Sequence, residues 1–348
     1  MKKKTLVLVT VSYPYGKGEP FIAPEMKYLC KFFDAIEVVP VYYQDGRNNR
    51  DETLTVNLTY AKCRWGKGRF VKIIYGFVIA LCNFKWISEL IYVLKGKYKA
   101  VNLLEFARAL YRAQLFDAFL MKYFANSNQE DLKLLYFYSM VPEIMGAISF
   151  RARTGSTIKI VARAHGGDIY EERHQGEYLG FRRTIANGID AVYCISRHGN
   201  VYLTNKYNSL EGKCHNAKLG VFDPGFDNPL PRDDVISIIS CSFIKALKRV
   251  DLIIDSLNYI LSTCPDAQIS WTHIGDGDLF ETMREYASKK LNGCMKVVFT
   301  GYLSESEIMA MYRDEPFDVF INVSTKYSEP RNSKQISENI YAQTEQSR

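Results

Sequence analysis

The chain has 348 residues, 47% of them hydrophobic and 24% charged, with a formal net charge of +7. These values are typical of a soluble globular protein with two domains or one large domain. The longest apolar run, IIYGFVIALC at residues 73–82, is too short to cross a bilayer, so the composition excludes a bilayer-spanning helix. The eight cysteines form no CxxC pair and have no metal-ligand spacing, which favours a reducing cytoplasm.

The N-terminal half alternates apolar strands with helices. Its first run, TLVLVTVS at residues 5–12, follows three lysines as in a signal peptide, but the run is only about seven residues long and has no small-residue cleavage site. We therefore predict a buried strand. Strands separated by helices predict a parallel sheet covered on both faces. The elements predicted next are a glycine loop at 13–21, a helix at 26–33, strands at 35–43, 131–139, 157–164 and 190–196, a helix at 197–207, and a closing segment at 216–221.

The positive charge is concentrated in one segment. Residues 62–122 hold 12 lysines and arginines against 3 aspartates and glutamates, interleaved with Trp, Phe and Tyr. Residues 70–124 predict two or three helices with mixed apolar and basic faces. This pattern suits an anionic membrane surface or an anionic ligand, and a solvated helix face over an ordinary core is the alternative. Because no helix-turn-helix, zinc-finger or RNP-type signature is present, we expect no nucleic-acid partner.

The composition changes at residues 220–234, where GVFDPGFDNPLPRDD predicts a linker. The alternation then restarts, and Ser304 with Glu307 forms a capping box for one of its helices. The polar residues after Thr325 predict a solvated tail. The predicted elements are strands at 235–243, 267–275, 295–301 and 317–324 and helices at 248–261 and 279–291. The predicted organisation is an N-terminal domain at 1–222, a linker at 223–234, a C-terminal domain at 235–325 and a tail at 326–348.

The order and spacing of six segments carry a resemblance. They are RAHGGDIYEER, KLGV, SCSFIKALKRVDLIIDSL, WTHIGDGDL, FTGYL and FDVFINVS. Together they resemble the bacterial glycosyltransferases of family 4 that build capsular or O-antigen polysaccharides, over roughly residues 1–325. The resemblance implies an α/β fold of GT-B type, with two Rossmann-like domains facing across a cleft and an incomplete second domain.

The resemblance also implies an activity. It implies the retaining transfer of a sugar from a UDP- or GDP-linked donor to a lipid-linked or oligosaccharide acceptor in surface polysaccharide synthesis. It implies no metal and no cofactor, because cations of the protein and helix N-termini neutralise the leaving nucleoside diphosphate. Together with the basic segment, it predicts a cytoplasmic protein at the inner face of the cell membrane, in peripheral contact with anionic lipid.

His165 is the first predicted catalytic residue. It ends a strand, so it projects from the carboxyl edge of the sheet, where α/β proteins bind ligands. In the resembling family this histidine approaches the donor sugar near the reacting carbon, and its carbonyl or ring stabilises positive charge. Asp168 and Glu172 are expected to orient it or to hold the acceptor. A structural histidine is the alternative.

The diphosphate site is predicted at Lys248, where a helix is expected to begin. In the resembling family a lysine here holds the donor diphosphate. The arginine that this family often has five residues earlier is Phe243 in this sequence, and Lys245 is the expected substitute. The alternative is a solvated basic helix start.

Glycines complete the predicted donor site. Gly16 and Gly18 resemble the loop of the family that lies beneath the donor, and a simple strand-to-helix turn is the alternative. Gly275 and Gly277 are expected to let the backbone approach the nucleotide, and Tyr302 to lie against the base. Asp276, Gly277 and Asp278 formally match a manganese-binding DxD motif of a different fold, but the resembling family has a glycine turn here, so no metal site is predicted. Three arginines are expected to face the diphosphate, an anionic acceptor or solvent: Arg173, Arg182 and Arg183.

The second predicted catalytic residue, Glu329, lies where the sequence departs from the family. The family has Ser-Glu-Gly there and a second glutamate eight positions after the first. This chain has Ser328-Glu329-Pro330, and its next acid is Glu338. The departure implies a chain that is truncated or rewritten past Thr325. Two alternatives therefore stay open: a catalytically impaired remnant, or another GT-B enzyme such as a nucleotide-sugar epimerase.

Overall fold

The computed structural model describes residues 4–16, 19–43, 54–65, 68, 71, 74–75, 78, 86–125, 132–230, 234–291 and 293–324. The chain divides into two compact units, Met1–Phe222 and Asp223–Arg348. The predicted tail at 326–348 lies outside the described residues.

The first unit is built on a parallel β-sheet with helices between its strands. The strands are β1 (Lys4–Thr10), β2 (Ala35–Pro40), β3 (Thr55–Val56), β4 (Leu132–Phe137), β5 (Lys159–Ala164), β6 (Ala191–Cys194) and β7 (Cys214–Asn216). The helices are α1 (Ile22–Phe32), α2 (Thr59–Trp65), α3 (Ile87–Lys95), α4 (Lys99–Ala125), α5 (Glu143–Thr154), α6 (Gly166–Ile169), α7 (Arg182–Gly188) and α8 (Arg197–Lys206). The strands lie in the order β3-β2-β1-β4-β5-β6-β7, and all neighbours are parallel.

Strand β1 is central and marks the point where the strand order reverses. Its Val7 and Val9 belong to one hydrophobic cluster, and the alternate residues Leu6 and Leu8 belong to another. Because successive side chains of a strand point to opposite faces, both faces of the sheet are covered. This confirms the prediction from the apolar run. In such sheets, ligands bind at the carboxyl ends of the strands, next to the position where the strand order reverses.

The long helix α4 supplies much of the larger cluster, through Phe106, Leu110, Phe116 and Leu120. It packs closely on α5. A Cβ at Gly146 of α5 would lie 2.2 Å from the carbonyl oxygen of Ala113 in α4, so glycine permits this close crossing. The predicted helical character of residues 70–124 is thus confirmed for α3 and α4.

The second unit repeats the strand–helix alternation. Its strands are β8 (Ile236–Cys241), β9 (Ile269–Ile274), β10 (Lys296–Phe299) and β11 (Val319–Phe320), and its helices are α9 (Val250–Thr263), α10 (Phe280–Leu291) and α11 (Glu305–Asp314). The strands lie in the order β10-β9-β8-β11, with all neighbours parallel. The buried indole of Trp271 belongs to the core of this unit.

Local predictions are mostly confirmed, with one correction to a helix start. The capping box is present, since Glu307 accepts the Ser304 backbone N–H at 2.7 Å. The closing segment predicted at 216–221 begins where β7 ends, at Asn216. The helix predicted from Lys248 begins at Val250, after a 3-10 turn at Ala246–Lys248.

Candidate functional site

The crowded turn after β5 is closed by one carboxylate. Oδ1 of Asp168 accepts the backbone N–H of His165 at 2.6 Å, and Oδ2 accepts the backbone N–H of Met140 at 2.7 Å. Asp168 therefore ties the end of β5 to the loop after β4. It holds the main chain of His165 and not its ring, in contrast to the expectation that it orients the imidazole directly.

Arg182 stabilises the same turn through hydrogen bonds to main-chain carbonyl groups. Its guanidinium donates to the carbonyl oxygens of Met140 at 2.6 Å and Asp168 at 2.5 Å. The side chain is buried, so the predicted solvent-facing alternative is wrong for this arginine. Burial raises the pKa of Asp168, while Arg182 and the two backbone N–H groups oppose that rise.

The His165 ring is fixed by the neighbouring strand end. Its Nε2 lies 2.9 Å from the carbonyl oxygen of Tyr138, which can only accept, so Nε2 carries the hydrogen. The rings of Phe21 and Tyr138 lie 5.1 Å and 5.8 Å from it, centroid to centroid. The His165 side chain also faces the backbone N–H of Asp168, in a capping box with the Asp168 carboxylate.

The loop after β1 is organised by a buried acid that the sequence analysis missed. The carboxylate of Glu19 accepts the backbone N–H groups of Val11 at 3.1 Å, Ser12 at 2.6 Å and Tyr13 at 2.9 Å. A lone acid between a glycine and a proline was the available signal. Gly16 lies in this loop with a φ of 69°, whereas Gly18 lies outside the described residues.

Three other ionisable groups, in or after this turn, contact tyrosine side chains. Glu172 accepts the Tyr202 hydroxyl at 2.7 Å on the surface. The Arg173 guanidinium lies over the Tyr170 ring at 4.3 Å, and Arg183 lies over Tyr92 at 5.2 Å. These contacts give the groups structural partners within the first unit.

In the second unit, two lysines follow β8. Lys245 is exposed and precedes the 3-10 turn, and Lys248 is half-buried at its end. Neither ammonium forms an ion pair or a side-chain hydrogen bond with any residue in the described part of the chain. By contrast, Arg249 binds Asp251, with Nε 3.1 Å from Oδ1. The two lysines are therefore available to an anion at the carboxyl edge of this sheet.

Glycines bring the strand-end loops of this unit together. A Cβ at Gly275 would lie 1.9 Å from the carbonyl oxygen of Ser242, and one at Gly277 would lie 2.5 Å from that of Ile244. Gly275 also donates its N–H to the Gly301 carbonyl at 2.9 Å. The close approach seen in the structure is thus between loops. Tyr302, 42% exposed, follows Gly301 at the same edge.

A neutral histidine, also missed from the sequence, supports this edge from within the core. Nδ1 of His273 lies 2.7 Å from the Ser240 hydroxyl, and Nε2 lies 3.2 Å from the Ser242 carbonyl. The Trp271 indole N–H donates to the Ser240 oxygen at 2.9 Å. Burial lowers the pKa of His273 to about 4. The neutral ring therefore accepts from Ser240 and donates to the loop that carries the lysines.

The structure thus places the predicted residues at two strand-end edges. Gly16 and His165 lie at the edge of the first sheet. Five predicted residues lie at the edge of the second: Lys245, Lys248, Gly275, Gly277 and Tyr302. Glu329 lies outside the described residues. Within those residues, no three His, Cys, Asp or Glu side chains group as metal ligands, and no helix is both long and apolar enough to cross a membrane.

No family model matches the sequence, and no curated protein does. Solved structures do match. The apo form of the lipopolysaccharide outer core galactosyltransferase WaaB is 13% identical, with a TM-score of 0.58 over 92% of this chain and 74% of that one. TarM is 10% identical, with a TM-score of 0.55 over 97% of this chain and 91% of that one. A glycosyltransferase from Rickettsia africae ESF-5 is 14% identical, with a TM-score of 0.53 over 92% and 73%. The likeness confirms the predicted α/β fold of GT-B type.

Proposed function

We propose that the chain is a retaining glycosyltransferase of family 4, which moves a sugar from a UDP- or GDP-linked donor to a lipid-linked or oligosaccharide acceptor in surface polysaccharide synthesis. The observation that carries the proposal is the pair of lysines without a described protein partner, Lys245 and Lys248, at the strand-end edge of a GT-B unit. An unpaired cation pair at this edge is suited to a diphosphate, which carries charge on several oxygens.

The chemistry follows from charge. When the sugar leaves, negative charge develops on the nucleoside diphosphate, and preorganised cations stabilise that charge. Helix α9 has 14 residues, and it begins directly after Lys248 and Arg249. Its N-terminal dipole adds positive potential at the same place. These groups favour cleavage of the bond between sugar and phosphate without a divalent ion.

His165 has the second role in the proposal. Positive charge develops on the sugar ring as the leaving group departs, and an acceptor atom near it lowers the energy of that state. Nε2 of His165 donates to the Tyr138 carbonyl, so Nδ1 is the unprotonated nitrogen. The ring is therefore held in one orientation at a strand end.

Donor binding tests the proposal directly. Calorimetric titration of the full chain with UDP- and GDP-sugars is expected to give micromolar binding to one of them. Lys248→Ala should weaken it at least tenfold, about 1.4 kcal/mol. Lys296→Ala, which removes an exposed lysine of the same unit, is the matched control and should bind like the wild type. Absence of binding, or equal binding by both variants, contradicts the proposal and favours an impaired remnant.

Turnover tests the chemical step. In a form of the protein that transfers sugar, His165→Ala is expected to reduce nucleoside diphosphate release at least tenfold, with donor affinity retained. NMR of the product should show the anomeric configuration of the donor. An epimerised donor without transfer would identify the epimerase alternative.

We also propose peripheral contact with an anionic membrane. Helix α3 exposes Ile87, Ile91 and Leu94 on one face, and the exposed lysines Lys95 and Lys97 follow. Exposed apolar helical residues also occur just before it: Val71, Ile74, Tyr75 and Val78. Apolar side chains beside lysines fit the boundary between lipid headgroups and acyl chains.

Vesicle co-sedimentation tests this contact. The wild type is expected to sediment with phosphatidylglycerol vesicles and less with phosphatidylcholine vesicles. Ile91→Glu should reduce the bound fraction severalfold. Val201→Glu, at an exposed apolar position of α8, should not. Equal sedimentation of the two variants would show that α3 is not the contact.

A further inference from the structure

The first unit contains a cavity of about 500 Å³ behind the His165 turn. One wall is α4, with Glu105, Arg108 and Arg112, and another is the segment 174–182. Gly167 and Asp168 of the His165 turn also line it. Its volume is in the range of small-molecule sites.

Three polar groups around this cavity have no described protein partner. The Glu105 carboxylate and the Arg108 guanidinium make no hydrogen bond or ion pair with any described residue. Arg182 is only 4% exposed, and its Nε has no hydrogen-bond partner, although its two terminal nitrogens donate to carbonyls. Buried donors without a partner are rare in proteins, so the Nε of Arg182 is open to a bound molecule.

The two cavity side chains without a described hydrogen-bond or ion-pair partner have opposite charges, Glu105 negative and Arg108 positive. Arg112 also lines the cavity, but both oxygens of Glu143 bind it, at 2.9 and 2.6 Å. The Glu105 carboxylate would repel a phosphate or a carboxylate placed beside it. An acceptor and a donor side by side favour a neutral ligand whose hydroxyl groups both donate and accept.

The Glu105 carboxyl lacks a described hydrogen-bond donor. Burial raises its pKa, and Arg112, Arg108, His174 and Arg182 oppose that rise. The carboxylate has lost water without gaining a described protein donor. A ligand hydroxyl would supply the missing hydrogen bond, while the arginines would donate to other hydroxyl oxygens.

The wall at 174–182 is strained. Glu177 and Phe181 have φ values of 51° and 59°, and Arg249 is the one other non-glycine residue with positive φ among those described. Such conformations persist where the surrounding structure enforces them, and they cluster at ligand sites. The strained wall therefore agrees with a shaped binding cavity.

We propose that this cavity binds a neutral saccharide unit of the acceptor, contacted by Glu105, Arg108 and Arg182. The inference rests on the proposed function, because it takes the bound sugar to be part of an acceptor. It deepens that function by assigning the recognised part of the acceptor to a neutral sugar and not to a lipid phosphate.

Ligand-observed NMR with saturation transfer tests the proposal on the full chain. The probes are the methyl glycosides of glucose, galactose, mannose and N-acetylglucosamine at millimolar concentration. At least one is expected to receive saturation from the wild type. Glu105→Gln and Arg108→Gln should each weaken that binding at least fivefold. Glu211→Gln and Arg197→Gln, at exposed positions of the same unit, are the matched controls and should leave it unchanged.

Two outcomes overturn the proposal. One is that no glycoside binds, or that the cavity variants bind like their controls. The other is that inorganic phosphate binds in an Arg108-dependent way while the glycosides do not, which would make the cavity an anion site. Circular dichroism of each variant shows that it is folded.

The titrations with nucleotide-sugars separate this proposal from the general one. If a UDP- or GDP-sugar binds and no glycoside does, the proposed function stands and the cavity assignment fails. If a glycoside binds through Glu105 and no nucleotide-sugar binds, the cavity is a saccharide site and the transferase proposal fails.

Discussion

The two strand-end edges use charge in opposite ways. At the edge of the first sheet, the ionisable groups of the crowded turn mostly hold protein backbone: Asp168 binds two N–H groups and Arg182 binds two carbonyls. At the edge of the second sheet, glycine contacts and a neutral histidine hold the loops, and two lysines stay without a described partner. A dense cluster of charges in a sequence is therefore not by itself a ligand site.

The largest effect on stability is expected at Gly275, where the loop after β9 packs on the loop after β8. Gly275→Ala should lower the free energy of unfolding by about 4 kcal/mol, because its Cβ would overlap the Ser242 carbonyl and its φ of 140° disfavours a side chain. Gly293→Ala is the matched control. Its φ is 76° and no atom lies within 4 Å, so it should cost about 1 kcal/mol. Urea unfolding measures both, and equal costs would show that the close approach of the two loops is not required.

The next effect is a dependence on pH at the second edge. The pKa of His273 falls from 6.5 to about 4 on folding, so the folded state binds fewer protons than the unfolded state between these values. Stability should therefore drop as pH falls through this window, by on the order of 3 kcal/mol from this residue. His273→Asn removes the titrating ring and should flatten this part of the profile. An unchanged difference between wild type and variant from pH 7 to pH 4 would contradict the buried neutral state.

At the first edge, one carboxylate should matter for stability. Asp168→Asn replaces one acceptor oxygen by an amide NH₂, so one backbone N–H loses its partner, at a cost of about 2 kcal/mol in urea unfolding. Glu172→Gln, an exposed acid in the same turn, should change stability by less than about 0.5 kcal/mol. Similar costs for the two variants would show that Asp168 does not hold the turn.

The smallest effect on stability is expected at the unpaired lysine. Lys248→Ala should leave the free energy of unfolding within about 0.5 kcal/mol of the wild type, since no described hydrogen bond or ion pair is lost. The same variant should still weaken donor binding at least tenfold. A large loss of stability would mean that Lys248 has a structural role, and the contrast between the two edges would then fail.

The sequence predicted the strands better than the contacts at their ends. The apolar runs at 5–12 and 235–243 indicated β1 and β8, because burial on both faces leaves little choice of residue type. The start of α9 was predicted two residues early, since Arg249 adopts a positive φ that no local preference indicates. Glu19 was missed because its three partners are backbone N–H groups, which the side-chain pattern does not record.

By itself, the sequence determined the alternation of strands and helices, and with it the parallel sheets and the strand-end position of His165. Periodicity and burial act locally and can be read along the chain. Only the tertiary structure decided which charges already have protein partners and which do not. That choice depends on distances between segments far apart in sequence, such as Arg182 with Met140, and on burial, which changes the cost of leaving a polar group unpaired.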